Sequence, residues 1–399
     1  MSKHEPYDEA ELKAMVHRAL SRRQFINRSA MAAGSLALGS ALLNACGGGK
    51  EAPKGGDTTA VAAAAGGAKE LHISNWPLYI DAKTVPEFQA ATGIQTTYTE
   101  DVNDNNEFFA KIEEPLKRGQ SIDRDIIVLT DWMAARMIRL GYLAPFVDSL
   151  CPNKANLVPD LRDVSFDPGR KYTIPWLSGM TGVGYNPKKT GRELTSINDI
   201  FDPKFKGKVT MLTEMRDTVG LVMLGQGKDP TTCTLDDAKA ACAKIKKARE
   251  SGQVRKFTGN DYAADLAAGN IAVAIAWSGD IQGLAADNPD LRWIAPKEGA
   301  MLYSDNMMIP KTSTNVASAM AWINYCYDPA HSAQIVTGAP YLSDVVGAGE
   351  ALAKIDPTLA KSELVNPPPE LRARLHVFKA LDEAEETQFN QIFQDAIGA

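Results

Sequence analysis

Histidine is scarce in this chain. There are five in 399 residues, and only His72, His331 and His376 lie beyond residue 45, none beside a nucleophile or a metal partner. HExxH, GxSxG and GxxxxGK[ST] are missing. No GxGxxG joins a strand to a helix; Gly179 to Gly184 reads GxxGxG, in the wrong context. The common zinc-protease, serine-hydrolase, nucleotide and dinucleotide signatures are therefore excluded. Cysteine is sparse too: five residues, with no CxxC or zinc-like spacing. Basic residues are in the minority, 43 Lys and Arg against 49 Asp and Glu, so charge offers no reason to expect nucleic-acid binding. Beyond residue 45 no run approaches the roughly 20 apolar residues of a membrane-spanning helix.

What is present begins with a leader. Residues 21–46 read SRRQFINRSAMAAGSLALGSALLNAC. The pair Arg22-Arg23, Phe25 and a weakly apolar run to Leu43 mark residues 1–45 as a twin-arginine export signal. Leu43-Asn44-Ala45-Cys46 resembles the lipobox of bacterial lipoproteins, in which Cys46 becomes the acylated first residue. Plain cleavage near Ala45 is the alternative. Residues 46–68 are Gly/Ala-rich and read as a flexible tether with a reach of roughly 25 Å. The leader holds six basic and four acidic residues, which leaves 37 against 45, or −8, for the rest. That balance mildly favours cationic ligands. An oxidising compartment permits a disulfide. Cys242 and Cys326 read as core residues, and a Cys233–Cys242 bridge is one possibility.

Strands and helices alternate after the tether, which argues for α/β architecture with largely parallel sheets. Leu71–Ser74, Ile94–Thr99 and Asp125–Leu129 read as strands; 82–91, 107–117 and 132–140 read as helices. Tyr172–Tyr185, extended and broken by glycines, suits a crossover. Val209–Leu212, 271–276, 291–295 and 306–309 continue the strands, and Thr234 to Asp237 fits a helix capping box. Val316–Tyr327 reads as a strongly amphipathic helix opened by Asn315. Residues 367–381 and 383–397 read as a helical pair. A body this long suits two lobes, here 69–178 plus 278–310, and 179–277 plus 311–399.

The most informative stretch is Ile271-Ala-Val-Ala-Ile-Ala-Trp277-Ser278-Gly279-Asp280. A buried strand ends there in a turn that carries an indole and an acid. Asn75-Trp76, Thr130-Asp131-Trp132 and Trp176 follow strand-like runs in the same way. Ligands of open α/β sheets bind outside the carboxyl ends of strands, and aromatic faces beside carboxylates suit an organic cation. Glu214 and Asp217, three apart at a strand–helix turn, would share a face, and Tyr303-Ser304-Asp305 repeats the aromatic–acid pairing. Simpler roles compete. Asp280 could cap a helix starting at Ile281, Trp277 could fill core, and Glu214 and Asp217 could complement a helix N-terminus.

Asn75-Trp76-Pro77-Leu78-Tyr79, Tyr172-Thr-Ile-Pro175 with Gly182-Val-Gly-Tyr-Asn186, Trp277-Ser-Gly-Asp280, and Pro296 to Asp305 closely resemble the spermidine/putrescine-binding proteins of bacterial ABC importers, over about 70–395. The resemblance implies a two-lobed periplasmic-binding-protein fold (type II), each lobe a mostly parallel sheet flanked by helices, closing on a polyamine across hinge crossovers. It implies that Trp76 and Tyr79 pack on ligand methylenes, that Thr130 contacts an amine, and that Trp132 lies close to an aromatic position of the family. Glu214 and Asp217 resemble an acidic pair of the second lobe. Trp277 and Tyr303 would line the site, with Asp280 and Asp305 as amine-binding carboxylates. Such a protein needs no cofactor, metal or catalytic residue. It would act as a monomer that docks on an ABC permease, held to the membrane by its lipid. One departure stands out: the family commonly places a hydroxyl at Pro77 and an acid or hydroxyl at Leu78. Asp81, Glu100, Asp101 or Asp131 would have to replace that anchor. Another cationic solute, a metal complex, or an exported hydrolase using Glu214 and Asp217 are the competing readings.

Overall fold

The computed structural model describes residues 70–399. The leader, Cys46 and the tether lie outside the described residues. Ten strands form one sheet: β1 (Glu70–Asn75), β2 (Gln95–Glu100), β3 (Ile126–Thr130), β4 (Thr173–Tyr185), β5 (Val209–Leu212), β6 (Val254–Thr258), β7 (Val273–Trp277), β8 (Arg292–Ile294), β9 (Ala300–Met308) and β10 (Leu375–His376). Their order is β2-β1-β3-β9-β4-β7-β5-β6, with β10 on β9 and β8 on β4.

Two parallel sets, β2-β1-β3 and β7-β5-β6, flank a central pair. That pair, β4 and β9, is antiparallel, and it meets β7 and β3 antiparallel as well. Parallel pairing therefore holds within each set and fails at the crossovers. Every residue of β4 is buried. Its glycines explain how: a methyl on Gly179 or Gly182 would collide with Tyr303 or with Trp293 and the Ile294 carbonyl.

The helices are α1 (Thr84–Thr92), α2 (Asn105–Lys117), α3 (Asp131–Arg139), α4 (Met215–Leu224), α5 (Leu235–Glu250), α6 (Tyr262–Ala267), α7 (Ser278–Ala285), α8 (Val316–Cys326), α9 (Pro329–Gly338), α10 (Ala348–Ile355) and α11 (Glu383–Ile397). The capping box at α5 is formed as the sequence indicates. No helix among the described residues is long and apolar enough to cross a membrane.

Several expectations need correction. Helix α8 is not amphipathic: Ser318 through Cys326 are all buried. Its Trp322 ring lies 5.0 Å from Phe88 and 6.3 Å from Trp176, and α8 and α9 rest on β1 and α1. Residues 316–338 thus pack with the first parallel set, where the sequence division placed them with the second. Segment 367–381 is not a helix but a single turn, Pro369–Arg372, followed by β10. The prolines stand before and at the first residue of that turn, where proline is tolerated; the helix ends because Leu375 and His376 pair with Ala300 and Met301 of β9. Cys151, Cys233, Cys242 and Cys326 are all buried and free, so no Cys233–Cys242 bridge forms.

Candidate functional site

The strand register brings the aromatic and acidic residues together. Thr130, last in β3, pairs with Asp305 of β9; Asp305 pairs with Leu177 of β4, Gly179 with Tyr303, and Thr181 with Trp277 at the end of β7. Tyr303 and Asp305 are two apart on one strand and so share a face. Thr130, Trp277, Tyr303 and Asp305 border a cavity of about 440 Å³, within the range of small-ligand sites. All ten residues singled out from sequence line it: Trp76, Tyr79, Thr130, Trp132 and Glu214, and also Asp217, Trp277, Asp280, Tyr303 and Asp305.

The first wall is built on β1 and β3. Asp305 accepts hydrogen bonds from Tyr79 (2.9 Å) and Thr130 (2.7 Å). Burial pushes its pKa up to about 7, against the pull of those two hydroxyls. Asp131 opens α3 and accepts from Asn306 Nδ2 at 2.6 Å; burial lifts it to about 6. Of the four acids considered as replacement anchors, Asp131 alone borders the cavity. Asp81 instead receives the Lys83 and Thr84 amides at the start of α1, Asp101 pairs with Arg124 at 2.9 Å, and Glu100 ends β2, exposed. Leu78 does not line the cavity, although Pro77 does. It sits in a turn behind Pro77 with φ 60°, a left-handed conformation uncommon for leucine.

The second wall belongs to β7, α4 and α7. Asp280 lies in the first turn of α7 and caps nothing. Its carboxylate accepts from Asn260 Nδ2 (2.9 Å), Tyr262 (2.7 Å) and Tyr341 (2.7 Å). Burial raises it to about 6 against those three donors. The Tyr262 hydroxyl also takes the Trp277 amide proton at 2.8 Å, which ties the indole-bearing strand end to the acid. Asp217 accepts from Thr181 Oγ1 at 2.5 Å and from the Trp277 indole, and burial lifts it to about 6. Trp277 is both core and wall: buried, yet edge-on to Trp76 at 5.6 Å and to Tyr303 at 6.5 Å.

The two walls touch at one rim. Glu214 accepts from the Asn105 amide and side chain, each at 2.8 Å; Thr213 donates to Asp104 at 2.6 Å; and the Asn260 amide donates to Asn103 Oδ1 at 3.1 Å. Glu214 occupies the N-cap position of α4 without capping it. Burial, then repulsion from Asp104, holds its carboxyl well above the usual range.

Glu214, Asp280 and Asp305 are buried, and Asp131 and Asp217 half-buried. Among the described residues none of the five forms an ion pair with Lys or Arg. Arg170 and Arg216 act on them from a distance but bond elsewhere, Arg170 to Asn306, Thr173 and the Leu161 carbonyl, Arg216 to Glu386. A buried carboxylate without a cationic partner is costly, so this cavity is arranged to receive positive charge. Among the described residues no group of His, Cys, Asp or Glu is disposed to hold a metal ion.

Sequence reasoning missed Tyr341, Asn260, Asn105 and Glu386, all on the cavity wall. Tyr341 and Asn260 lie far in sequence from any tryptophan-bearing strand end, and both reach the site by bonding Asp280. No local sequence signal places Tyr341 there; in the fold it lies so close to α7 that a methyl on Gly279 would run into its ring.

A family model of bacterial extracellular solute-binding proteins matches residues 83–348. A putrescine-binding periplasmic protein of Pseudomonas aeruginosa is 31% identical over 333 residues, covering 78% of this chain and 88% of that one. A spermidine/putrescine-binding periplasmic protein of Haemophilus influenzae is 28% identical over 285 residues, 71% of this chain and 78% of its own. Among solved structures, the spermidine/putrescine ABC transporter substrate-binding protein of Streptococcus pneumoniae superposes with a TM-score of 0.67 at 25% identity, covering 82% of this chain and 98% of that one. The mixed α/β architecture described above is the periplasmic-binding-protein fold of these relatives. With the family match spanning well over half its length, the chain belongs to the bacterial extracellular solute-binding proteins.

Proposed function

We propose that this protein captures a linear polyamine, putrescine or spermidine, between two lobes outside the cytoplasm and hands it to an ABC permease. The observation that carries the reading is the set of five carboxylates around one aromatic cavity with no basic side chain among the described residues paired to them. Ammonium groups are the complement. Charge-assisted hydrogen bonds contribute about 1.5–3 kcal/mol each, and a desolvated cation over an indole face gains up to about 2 kcal/mol.

Asp305 and Asp131, with Thr130, form one ammonium station; Asp280 and Asp217 form another, with Glu214 at the rim. Trp76, Trp277, Tyr79 and Tyr303 hold the methylenes between them, and Trp132 closes the side. One lobe is built on β1–β3 and the other on β5–β7, hinged at β4 and β9, and the rim contacts of Glu214 form on closure. The names of the relatives, which bind putrescine or spermidine, support this ligand class. The protein acts as a monomer, anchored through acylated Cys46, and binds without catalysing a reaction.

The test is direct. Protein purified without its leader is denatured and the released small molecules identified by mass spectrometry, and ligand-free protein is titrated calorimetrically with putrescine and spermidine. A dissociation constant near micromolar, about −8 kcal/mol, is expected for at least one. Heat from neither, with capture of an anionic solute instead, would end the proposal.

A further inference from the structure

Three guanidinium groups converge on one carboxylate at the cavity's edge. Glu386, in the first turn of α11, lies 3.1 Å from Arg136 and 3.1 Å from Arg139, both on α3, and 3.0 Å from Arg216 on α4. Arg136 has two further acceptors, Asn106 Oδ1 at 3.1 Å and Met133 Sδ at 4.0 Å, and no second acid pairs with the three among the described residues. The cluster therefore brings surplus positive charge to the rim of a cavity built for a cation.

Arg216 is the member closest to the site in two ways. Its guanidinium carbon sits 4.1 Å from the centroid of the Trp132 ring, on an indole face that borders the cavity. It also stands between Glu214 and Asp217 in sequence, and both carboxylates feel its charge. A flexible, positively charged side chain so placed has two possible homes: Glu386 at the rim, or the acids of the site itself. Burial makes the choice consequential, because an ionised group removed from water must be paired.

We propose that Glu386 is a positioning residue of the cation site. By holding Arg216 at the rim, it keeps that guanidinium from neutralising the carboxylates the ligand needs. Without Glu386, Arg216 turns inward and becomes an internal competitor of the polyamine. Arg136 and Arg139 serve the same end from α3, filling the remaining lone pairs of Glu386 so that its carboxylate stays fixed. The inference rests on the polyamine reading above.

Calorimetry with putrescine and spermidine on the leaderless protein, with thermal melting as a check of folding, tests it on four proteins: wild type, E386Q, R216Q and the double variant. E386Q is expected to bind at least about tenfold more weakly, R216Q within about threefold of wild type or tighter, and the double variant to recover to within about threefold. Recovery on deleting a second residue is an outcome that a merely structural Glu386 would not produce. Unchanged affinity in E386Q, a double variant as weak as E386Q, or a folded R216Q weakened about tenfold would each overturn the proposal. Should E386Q melt below the assay temperature, E386D, whose shorter side chain draws the charge back from α4, is judged by the same criteria. A wild-type protein that binds neither polyamine removes the functional reading itself, before any variant is compared.

Discussion

Replacing Asp280 by asparagine changes the site's charge while sparing its shape. In the structure three neutral donors, Asn260, Tyr262 and Tyr341, reach this carboxylate at 2.7–2.9 Å, and among the described residues no cation does. Carboxylates carry about four lone-pair sites, so one remains for a ligand ammonium. Losing that charge-assisted bond is expected to cost about 1.5–3 kcal/mol, a weakening of roughly 10- to 150-fold. Fold stability should move the other way or not at all. Burial already disfavours the ionised form, as the rise to about 6 indicates, and the amide oxygen still accepts hydrogen bonds while its NH2 can donate to a tyrosine hydroxyl. The assay is calorimetric titration at pH 7.5, where wild-type Asp280 is ionised, beside thermal melts of both ligand-free proteins. An affinity within about threefold of wild type, in a variant that melts normally, would show that Asp280 does not meet the ligand.

Three further outcomes are expected. The folded-state pKa values of Asp131, Asp217 and Asp280 (about 6) and Asp305 (about 7) lie above the ordinary carboxylate value. The ligand-free fold therefore binds more protons than the unfolded chain between about pH 4 and 7, and these groups make stability fall as pH rises through that window. Cation binding requires the ionised forms, so affinity should rise over the same range and capture should release protons. Calorimetry at pH 6.5 in buffers of different ionisation enthalpy measures this, and zero net release contradicts it. Gly279→Ala drives a methyl into the Tyr341 ring and should cost about 1–3 kcal/mol in urea unfolding; unchanged stability would mean the ring is not seated there. Finally, burial pushes the Cys151 and Cys242 thiols up to about 12. The native protein should resist alkylation, and all four described cysteines should label once it is denatured; a Cys233–Cys242 disulfide found by mass spectrometry refutes this.

Local signals were legible wherever one property decided them. The apolar run before Trp277 reads as a buried strand and forms β7, and the Thr234 box opens α5. Composition misled where burial came from tertiary neighbours. Helix α8 carries enough polar residues to read as amphipathic, yet Ser318 and Asn324 are buried, with Asn324 bonded to the Asn153 backbone at 2.9 Å. Segment 367–381 has helical residues, but β10 finds a partner in β9, and pairing outweighs propensity. Its neighbours Val377 to Leu381 consequently reach the cavity wall, which no periodicity would have revealed.

By itself, then, the sequence determined which residue types could meet a ligand. Indoles and acids follow strand-like runs, and ligands of open α/β sheets bind outside the carboxyl ends of their strands. Only the tertiary structure decided how those acids are held. The antiparallel contacts of the central pair set the register: β9 against β3 puts Thr130 beside Asp305, and β4 against β7 puts Thr181 beside Trp277, while tyrosine hydroxyls from distant segments reach Asp305 and Asp280. Hydrogen bonds of this kind depend on distances between residues as much as 226 positions apart, a quantity that exists only once the chain has closed on itself.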